Sequence, residues 1–509
     1  MQVDISQWDL RNMWKNQSDE LITRPGYDEL CLIKSDGSTG TNLVPRAGFS
    51  VKSQFVDSIQ HYVLVGKQDT GTLELRILNE NMDVNAPRQI LQMGSDRRIR
   101  ALGHAVVGGE IIIAGPDIPT LWGYTGSGVA VAKKQLTINV SMETMGIPQG
   151  LCASWADRCV IAVREAVFIS DPYAPRTYTT TGFITMPGVV YGLHASPDGS
   201  LTMVTADGVY SLSAQSAATG DGISGSIEKL SSYQASDYNQ SVLTPDGLYG
   251  LSKRGIKRID MDSADELTLS DKSYVRSLSD MISYPDYRSG SLYRTSGGVA
   301  VTVGTMDADD DTHYEGGVCM VDFDAGIKSW WTMESMRRMV GMMHEREGDD
   351  VFLMTQRVNL ASLFTGFYKF HLDRDNLPGN AEYYGSMSGL VANNPETSPV
   401  VRAIYMKADN GGNLVKVAVR GEYRKKNGTE QEIVTDPNGV IIGSAATPQD
   451  IWTNDPAEKR VKTRELESSR FQFAKRTNDI SIEVAAQSGR VRLGSVDIAT
   501  AGYGSRRPI

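Results

Sequence analysis

The chain is poor in the residues that most often carry chemistry. Its 509 residues include four cysteines and six histidines. Cys31, Cys152, Cys159 and Cys319 form no C-x-x-C pair, which argues against a structural zinc site. Four in this length make no disulfide scaffold, so reduced thiols are expected. The histidines are scattered, and His344 in "HEREGDD" has no second histidine four residues on, so there is no zincin motif. A G-x-x-x-x-G-K-[ST] phosphate loop is absent. "GDGISG" at 220–225 fits G-x-G-x-x-G but follows small polar residues and precedes no helical segment, so it reads as a loop. No Ser/His/Asp constellation can be inferred. No apolar run approaches the roughly eighteen residues of a membrane span, and "MQVDISQWDLRN" lacks a signal-peptide core. Positive charge is in deficit too: the net charge is -10 and the pI about 5.3. That excludes a surface gripping nucleic acid all over, but not a channel through which it slides.

What is present is turn chemistry. The chain has 50 glycines. "ADGVYSLS" at 206–213 returns as "PDGLYGLS" at 245–252, with Asp-Gly able to supply the positive φ of a hairpin turn. The same grammar precedes or follows apolar runs starting at 61, 110, 158, 208, 247, 298 and 350: "HYVLVG", "EIIIAG", "RCVIAV", "GVYSLS", "GLYGLS", "GVAVTV" and "DVFLMT". The spacing is near 50 residues, with one short interval of 39. Strand, tight turn and strand at that period predict β-propeller blades, each too thin to bury both faces without neighbours. The expected fold is all-β, an about seven-bladed propeller over residues 28–385. The WD dipeptide and the full kelch pattern are both missing.

Residues 1–27 read as an N-terminal arm, with "QWDLRNMWKNQSDEL" as a short helix carrying Trp8 and Trp14. Beyond a connection rich in Pro, Gly, Asn and Ser, residues 386–509 alternate: Val415, Val417 and Val419 on one side, Lys416, Ala418 and Arg420 on the other. "ISIEVAAQSGRVRLGSVDI" does the same, with Ser488-Gly489 as a turn, and the segment is expected to be an antiparallel β-sandwich. From Glu396 onward 18 Lys and Arg face 14 Asp and Glu, so this part carries +4 and the rest -14. Opposite charge on two parts of one chain favours head-to-tail contact between copies.

No catalytic, cofactor-binding or metal-ligating residue is expected. "DADDD" at 307–311 lacks the glycine and glutamate of an EF-hand loop and reads as a solvated acidic hairpin tip. Asp307, Asp309, Asp310 and Asp311 are the candidates for lining a channel that repels phosphate. Trp8, Trp14, Trp330 and Trp331 are the candidates for assembly or docking. "SPDGSL" at 196 lacks the fuller Asp-box pattern of sialidase-type propellers.

Three segments in chain order, "ELITRPGYDEL" at 20–30, "NQSVLTPDGLYGLSKRGIKRID" at 239–260 and "SSRFQFAKRTNDISIEVAAQSGRVRLGSVDI" at 468–498, resemble one family. It is the tail nozzle, or packaged-DNA stabilisation, proteins of short-tailed bacteriophages. The closing "GYGSRRPI" has no counterpart there. The resemblance implies a non-enzymatic structural virion protein, assembled in the host cytoplasm without cofactors. Six copies would form a ring below the portal and adaptor, extend the DNA channel, retain packaged DNA and dock tailspikes or tail fibres. Genomic DNA would pass through without specific binding. The alternatives are a carbohydrate-binding receptor using a propeller face with Trp330 or Trp331, and a propeller glycosidase or lyase with two carboxylates across a pocket.

Overall fold

The computed structural model describes residues 8–11, 13–15, 21–23, 27–33, 43–52, 59–67, 70–78, 87–95, 103–108, 110–114, 120–124, 131–135, 137–138, 151–178, 182–196, 198–213, 227–245, 247–252, 255–259, 291–295, 298–302, 306–307, 313–314, 317–322, 327–332, 336–346, 349–358, 362–371, 385–393, 400–409, 415–424, 430–433, 440–441, 467–476, 479–486 and 492–501. These contain strands, turns and short links but no helix, so none is long and apolar enough to cross a membrane.

The strands make a β-propeller arrangement with five four-stranded antiparallel blades. Sheet A holds Leu43–Lys52, Ile59–Lys67, Thr72–Ile77 and Gln89–Ser95. Sheet B holds His104–Val107, Glu110–Ala114, Thr120–Tyr124 and Val131–Gln135. Sheet C holds Cys152–Trp155, Arg158–Val163, Ala166–Ile169 and Phe183–Thr185. Sheet D holds Val190–Ala195, Leu201–Thr205, Val209–Leu212 and Ile227–Ser231. Two further groups follow before the last blade. Sheet E has three strands, Ser241–Thr244, Gly247–Ser252 and Gly255–Ile259. Group F comprises Ser291–Thr295, Gly298–Thr302, Gly317–Asp322 and Ile327–Thr332, inside a larger ten-stranded sheet. Sheet G holds Met336–Arg346, Asp349–Val358 and Ser362–His371, and its fourth strand is Tyr27–Ile33 from the start of the chain.

Successive groups touch through their first strands. His104–Val107 packs on Cys152–Trp155, which meets Val190–Ala195, then Ser241–Thr244, Ser291–Thr295, Met336–Arg346 and finally Leu43–Lys52. Phe49 stacks on His104 with centroids 4.6 Å apart and joins sheets A and B. Tyr27–Ile33 registers against Ser362–His371, Ile33 opposite Thr365 and Tyr27 opposite Phe370. This pairing ties the beginning of the chain to the last blade.

The middle strands carry runs of consecutive apolar residues because they are buried on both faces, and the few polar ones among them, such as Arg158, are buried too. In Arg158–Val163 all six residues are buried. Cys159, Ile161 and Val163 join Ala105, Val107 and Ile112 in the seam between sheets B and C. Val160 and Ala162 face the other way, with Leu193, Leu201, Met203 and Leu212, in the seam between C and D. The A–B seam sets Phe49, Tyr62, Leu64 and Leu75 against Ile111 and Ile113. The D–E seam sets Val204, Val209 and Tyr233 against Leu248 and Ile259. Each large apolar side chain moved from water into such a seam contributes roughly 1.5–3 kcal/mol, so an isolated blade would forfeit the stabilisation of two faces.

Several expectations change. The helix at the start of the chain is absent: Trp8–Arg11, Met13–Lys15 and Leu21–Thr23 are strands, drawn into sheets by long-range pairing that overrides local helical preference. The two Asp-Gly segments are not equivalent. "GVYSLS" contains the third strand of sheet D, whereas "GLYGLS" is the second strand of sheet E. In sheet D both hairpins turn on Asp-Gly, Asp198-Gly199 and Asp207-Gly208, so the likeness marks a hairpin and not its place in the blade, which produces the short interval of 39. The turn before Val209 shows no positive φ; Thr205 Oγ1 instead accepts from the amides of Asp207 and Gly208, both at 3.1 Å. Left-handed backbone falls on Ala156 and Asp157, φ 46° and 58°, in the two-residue hairpin turn of sheet C. Asp479–Ala486 and Arg492–Ala501, read as neighbours across Ser488-Gly489, lie in different sheets.

Close packing makes one glycine decisive. A Cβ on Gly250 would lie 2.4 Å from the Tyr233 ring, whose hydroxyl donates to the carbonyls of Leu251 at 2.8 Å and Gln240 at 3.2 Å. Gly250→Ala is expected to destabilise the protein by about 1–3 kcal/mol through overpacking, read as a lower urea midpoint. An unchanged midpoint would show that Tyr233 yields freely.

Candidate functional site

The region that gathers the candidate tryptophans is the junction between group F and the C-terminal strands. Trp8–Arg11 inserts between two edges. On one side it runs parallel to Ile327–Thr332, Leu10 opposite Ser329 and Arg11 opposite Trp330. On the other it runs antiparallel to Gly385–Asn393, Trp8 opposite Gly389 and Arg11 opposite Ser386. This one strand makes the ten-stranded sheet continuous: Ser291–Thr295, Gly298–Thr302, Gly317–Asp322, Ile327–Thr332, Trp8–Arg11, Gly385–Asn393, Asp479–Ala486, Val415–Arg424 and Glu430–Ile433, with Val440–Ile441 on the flank of Val415–Arg424. Met13–Lys15 and Leu21–Thr23 continue into a five-stranded sheet with Arg492–Ala501, Val400–Asp409 and Glu467–Arg476.

Trp14 is 4% exposed and Met13 1%, so this part of the arm is built into the fold. Trp330 and Trp331 lie on Ile327–Thr332, paired on one side with Gly317–Asp322 (Cys319 opposite Trp330) and on the other with Trp8–Arg11. Ser329, between the same strands, is fully buried. The structure therefore brings the strands of Trp8, Trp330 and Trp331 together, with Trp14 on the strand that follows Trp8–Arg11. No sequence signal marked the parallel pairing, because a four-residue strand carries no periodicity that names its partner.

The acidic candidates lie elsewhere. Asp307 ends Met306–Asp307, which pairs with His313–Tyr314, Asp307 opposite His313. This small hairpin connects the second and third strands of group F, so Asp307 is not on a first strand. Asp309, Asp310 and Asp311 lie outside the described residues.

Polar groups that the sequence did not single out hold the seams. Ser154 Oγ accepts from the Val106 amide at 2.7 Å, and Trp155 Nε1 donates to the Gly199 carbonyl at 2.8 Å. His194 Nε2 and Ser241 Oγ are hydrogen-bonded at 2.8 Å between sheets D and E. A Cβ on Gly192 would sit 2.5 Å from that Oγ, so only glycine leaves room for the pair. Burial holds the imidazoles of His194 and His104 down to about 4, so both are neutral at pH 7. No carboxylate hydrogen-bonds His194 among the described residues, so the pair lacks the third member of a hydrolytic triad.

In sheet A, Glu74 takes Lys67 Nζ at 2.6 Å, Arg76 Nη2 at 2.8 Å and Gln92 Nε2 at 2.8 Å. Burial pushes the Glu74 carboxyl up, but these donors outweigh it and the net shift is downward. On sheet D, Lys229 and the Tyr210 hydroxyl both donate to Asp207, fastening the outer strand to the turn, and hold its carboxyl below the usual range. Cys152 and Cys159 are free thiols 3.6 Å apart; the hydrogen bond with Cys159, reinforced by burial, pushes Cys152 well up. No group of three or more His, Cys, Asp or Glu able to hold a metal occurs among the described residues.

No family model and no curated protein matches the chain. Solved structures similar to it share one residue in ten, the propeller of Dos1 among them, at 10% identity over 70% of this chain and 81% of that one with a TM-score of 0.37. A streptogramin B lyase is 10% identical over 67% of this chain and 97% of its own, with a TM-score of 0.38. Virginiamycin B lyase from Staphylococcus aureus is 10% identical over 67% and 98%, TM-score 0.36. The extracellular domain of a hybrid two-component system from B. thetaiotaomicron is 10% identical over 85% of this chain, which spans 58% of that one, TM-score 0.42. Likenesses this distant transfer neither a substrate nor a reaction.

Proposed function

We propose that the chain is a structural, non-enzymatic subunit of a ring, the tail nozzle of a short-tailed bacteriophage, as its resemblance implies. In this reading sheet E and group F complete a seven-bladed propeller, and the strands after 385 form a C-terminal sandwich. The ring lies below a portal and adaptor, extends the DNA channel, retains the packaged genome and docks tailspikes or fibres. The observation that carries the reading is the clasp by Trp8–Arg11. A subunit of a closed ring needs two different contact faces held at a fixed angle, because head-to-tail contacts must close. A sheet running unbroken from a propeller blade into the C-terminal strands supplies that stiffness. The excess of +4 after residue 395 against -14 before it favours contact between unlike parts of neighbouring copies.

Electron microscopy and mass photometry of the purified chain, alone and with its virion, test the reading. A ring of about six copies is the expected result; a stable monomer absent from particles would overturn it. Deleting residues 1–15 is expected to abolish ring formation and to lower the urea midpoint of unfolding, because it leaves Ile327–Thr332 and Gly385–Asn393 as open edges. Rings of unaltered stability from the truncated chain would show that the clasp is dispensable.

A further inference from the structure

The outer strand of a blade offers a row of backbone amides and carbonyls to any other chain, and folds blunt such an edge with charge, shortness, a bulge or a cover. Among the described residues, six of the seven groups charge, shorten or cover theirs. Val131–Gln135 of sheet B carries two lysines, Ile227–Ser231 of sheet D a glutamate and a lysine, Gly255–Ile259 of sheet E a lysine and an arginine, and Tyr27–Ile33 of sheet G an aspartate and a glutamate. Phe183–Thr185 of sheet C has three residues, and Ile327–Thr332 of group F is covered by Trp8–Arg11. Sheet A differs. Gln89–Ser95 runs for seven residues without a charge or a proline, and among the described residues it pairs on one side only, with Thr72–Ile77. Its one blunting device is a bulge: Gln92 pairs with Glu74 and Gly94 with Leu73, so Met93 is left over. Residues 89–92 ahead of the bulge stay in regular register. Leu91 packs onto the seam between sheets A and B, whereas Ile90 is 46% exposed, the most exposed large aliphatic side chain among the described residues.

A four-residue edge is long enough to pair in this fold, since Trp8–Arg11 has four residues and pairs on both sides. The charge pattern selects the occupant. In an isologous contact the same patch meets itself, so a charged strand meets its own charge. Like charges on paired strands are destabilising. The edges of sheets B, E and G each carry charges of one sign and would repel their own copies. Residues 89–92 carry none, so self-pairing there brings no like charges together in any register. We infer that residues 89–92 pair antiparallel with the same strand of a second copy of this chain, across a two-fold axis, so that two A sheets join into one. The inference stands on the sheet edge and does not require the virion role. A two-fold contact is distinct from a head-to-tail one, and joins two rings as readily as two single chains.

Mass photometry and sedimentation of the full chain, parent against Ile90→Lys, test this. Ile90 is exposed, so a lysine there charges the edge without entering the seam. Parent assemblies are expected to have about twice the mass of the variant's, dimer against monomer or paired ring against single ring, so the result is read separately from ring formation. The amides of residues 89–92 should exchange about tenfold more slowly in the parent. Gln135→Lys, which charges the outer strand of sheet B, should assemble as the parent does. Equal urea midpoints show that Ile90→Lys is folded; if it is not, Gln89→Lys on the same strand takes its place. Equal masses for the parent and a folded variant, or a doubled mass with equal exchange at residues 89–92, would overturn the inference. Unpaired parent chains that protect the same amides on addition of an unrelated threonine- and valine-rich peptide would overturn the second copy as occupant and put a partner's strand in its place.

Discussion

Acidification from pH 6.5 to pH 4 is expected to remove up to about 5 kcal/mol of stability, on the order of the whole net stability of a typical domain. The cause is two half-buried imidazoles packed into seams between first strands. His104 stacks on Phe49 at 4.6 Å, and His194 bonds Ser241 at 2.8 Å. Burial holds both to about 4, against an ordinary 6.5. Above pH 6.5 folded and unfolded chains are both neutral at these sites, and stability does not change with pH. Between 6.5 and 4 the unfolded chain takes up protons that the folded chain refuses, so stability falls. Below 4 both are charged and the loss levels off. A gap of 2.5 between 6.5 and about 4 corresponds to roughly 3 kcal/mol per histidine. Thermal melts at half-unit pH steps measure this, and His104→Phe/His194→Asn should flatten the decline while keeping the stack and the seam contact. A melting temperature constant from pH 6.5 to 4.5 in the parent would refute it.

Glu74→Ala is expected to cost about 3–5 kcal/mol, among the largest single substitutions available in the described residues. The Glu74 side chain is 1% exposed and that of Arg76 6%. Removing the carboxylate takes a counter-charge from the buried Arg76 guanidinium and removes the acceptor for Lys67 and Gln92 as well. The double variant Glu74→Leu/Arg76→Met takes out both charges with similar volume and should be less destabilised than Glu74→Ala alone. Chemical denaturation of the three proteins decides the point. If the double variant loses more than the single one, the ion pair itself, and not the stranded charge, stabilises sheet A.

The strands most legible in the sequence are those buried on both faces. "RCVIAV" and "HYVLVG" are apolar on consecutive positions because a blade has a neighbour on each side. Less legible was the order of strands within a blade. "GVYSLS" looked like the partner of "GLYGLS", yet one is a third strand and the other a second, since turn residues report a hairpin and not its place in the ring. The junction at Trp8–Arg11 was not legible at all: its preference for helix or strand is weak, and the two edges it joins decide it. The candidate site split in the same way. The tryptophans were visible as residues, but the meeting of their strands depends on a parallel pairing between the start of the chain and residue 330.

By itself the sequence determined that the chain is built of short hairpins with doubly buried middle strands, because turn chemistry and alternation act over two to six residues. Only the tertiary structure decided which strands come first in each sheet, which histidines are held neutral in the seams, and which acids and bases pair, as Glu74 and Arg76 do. Those properties depend on what packs opposite each residue, and that is set by ring closure over more than three hundred residues.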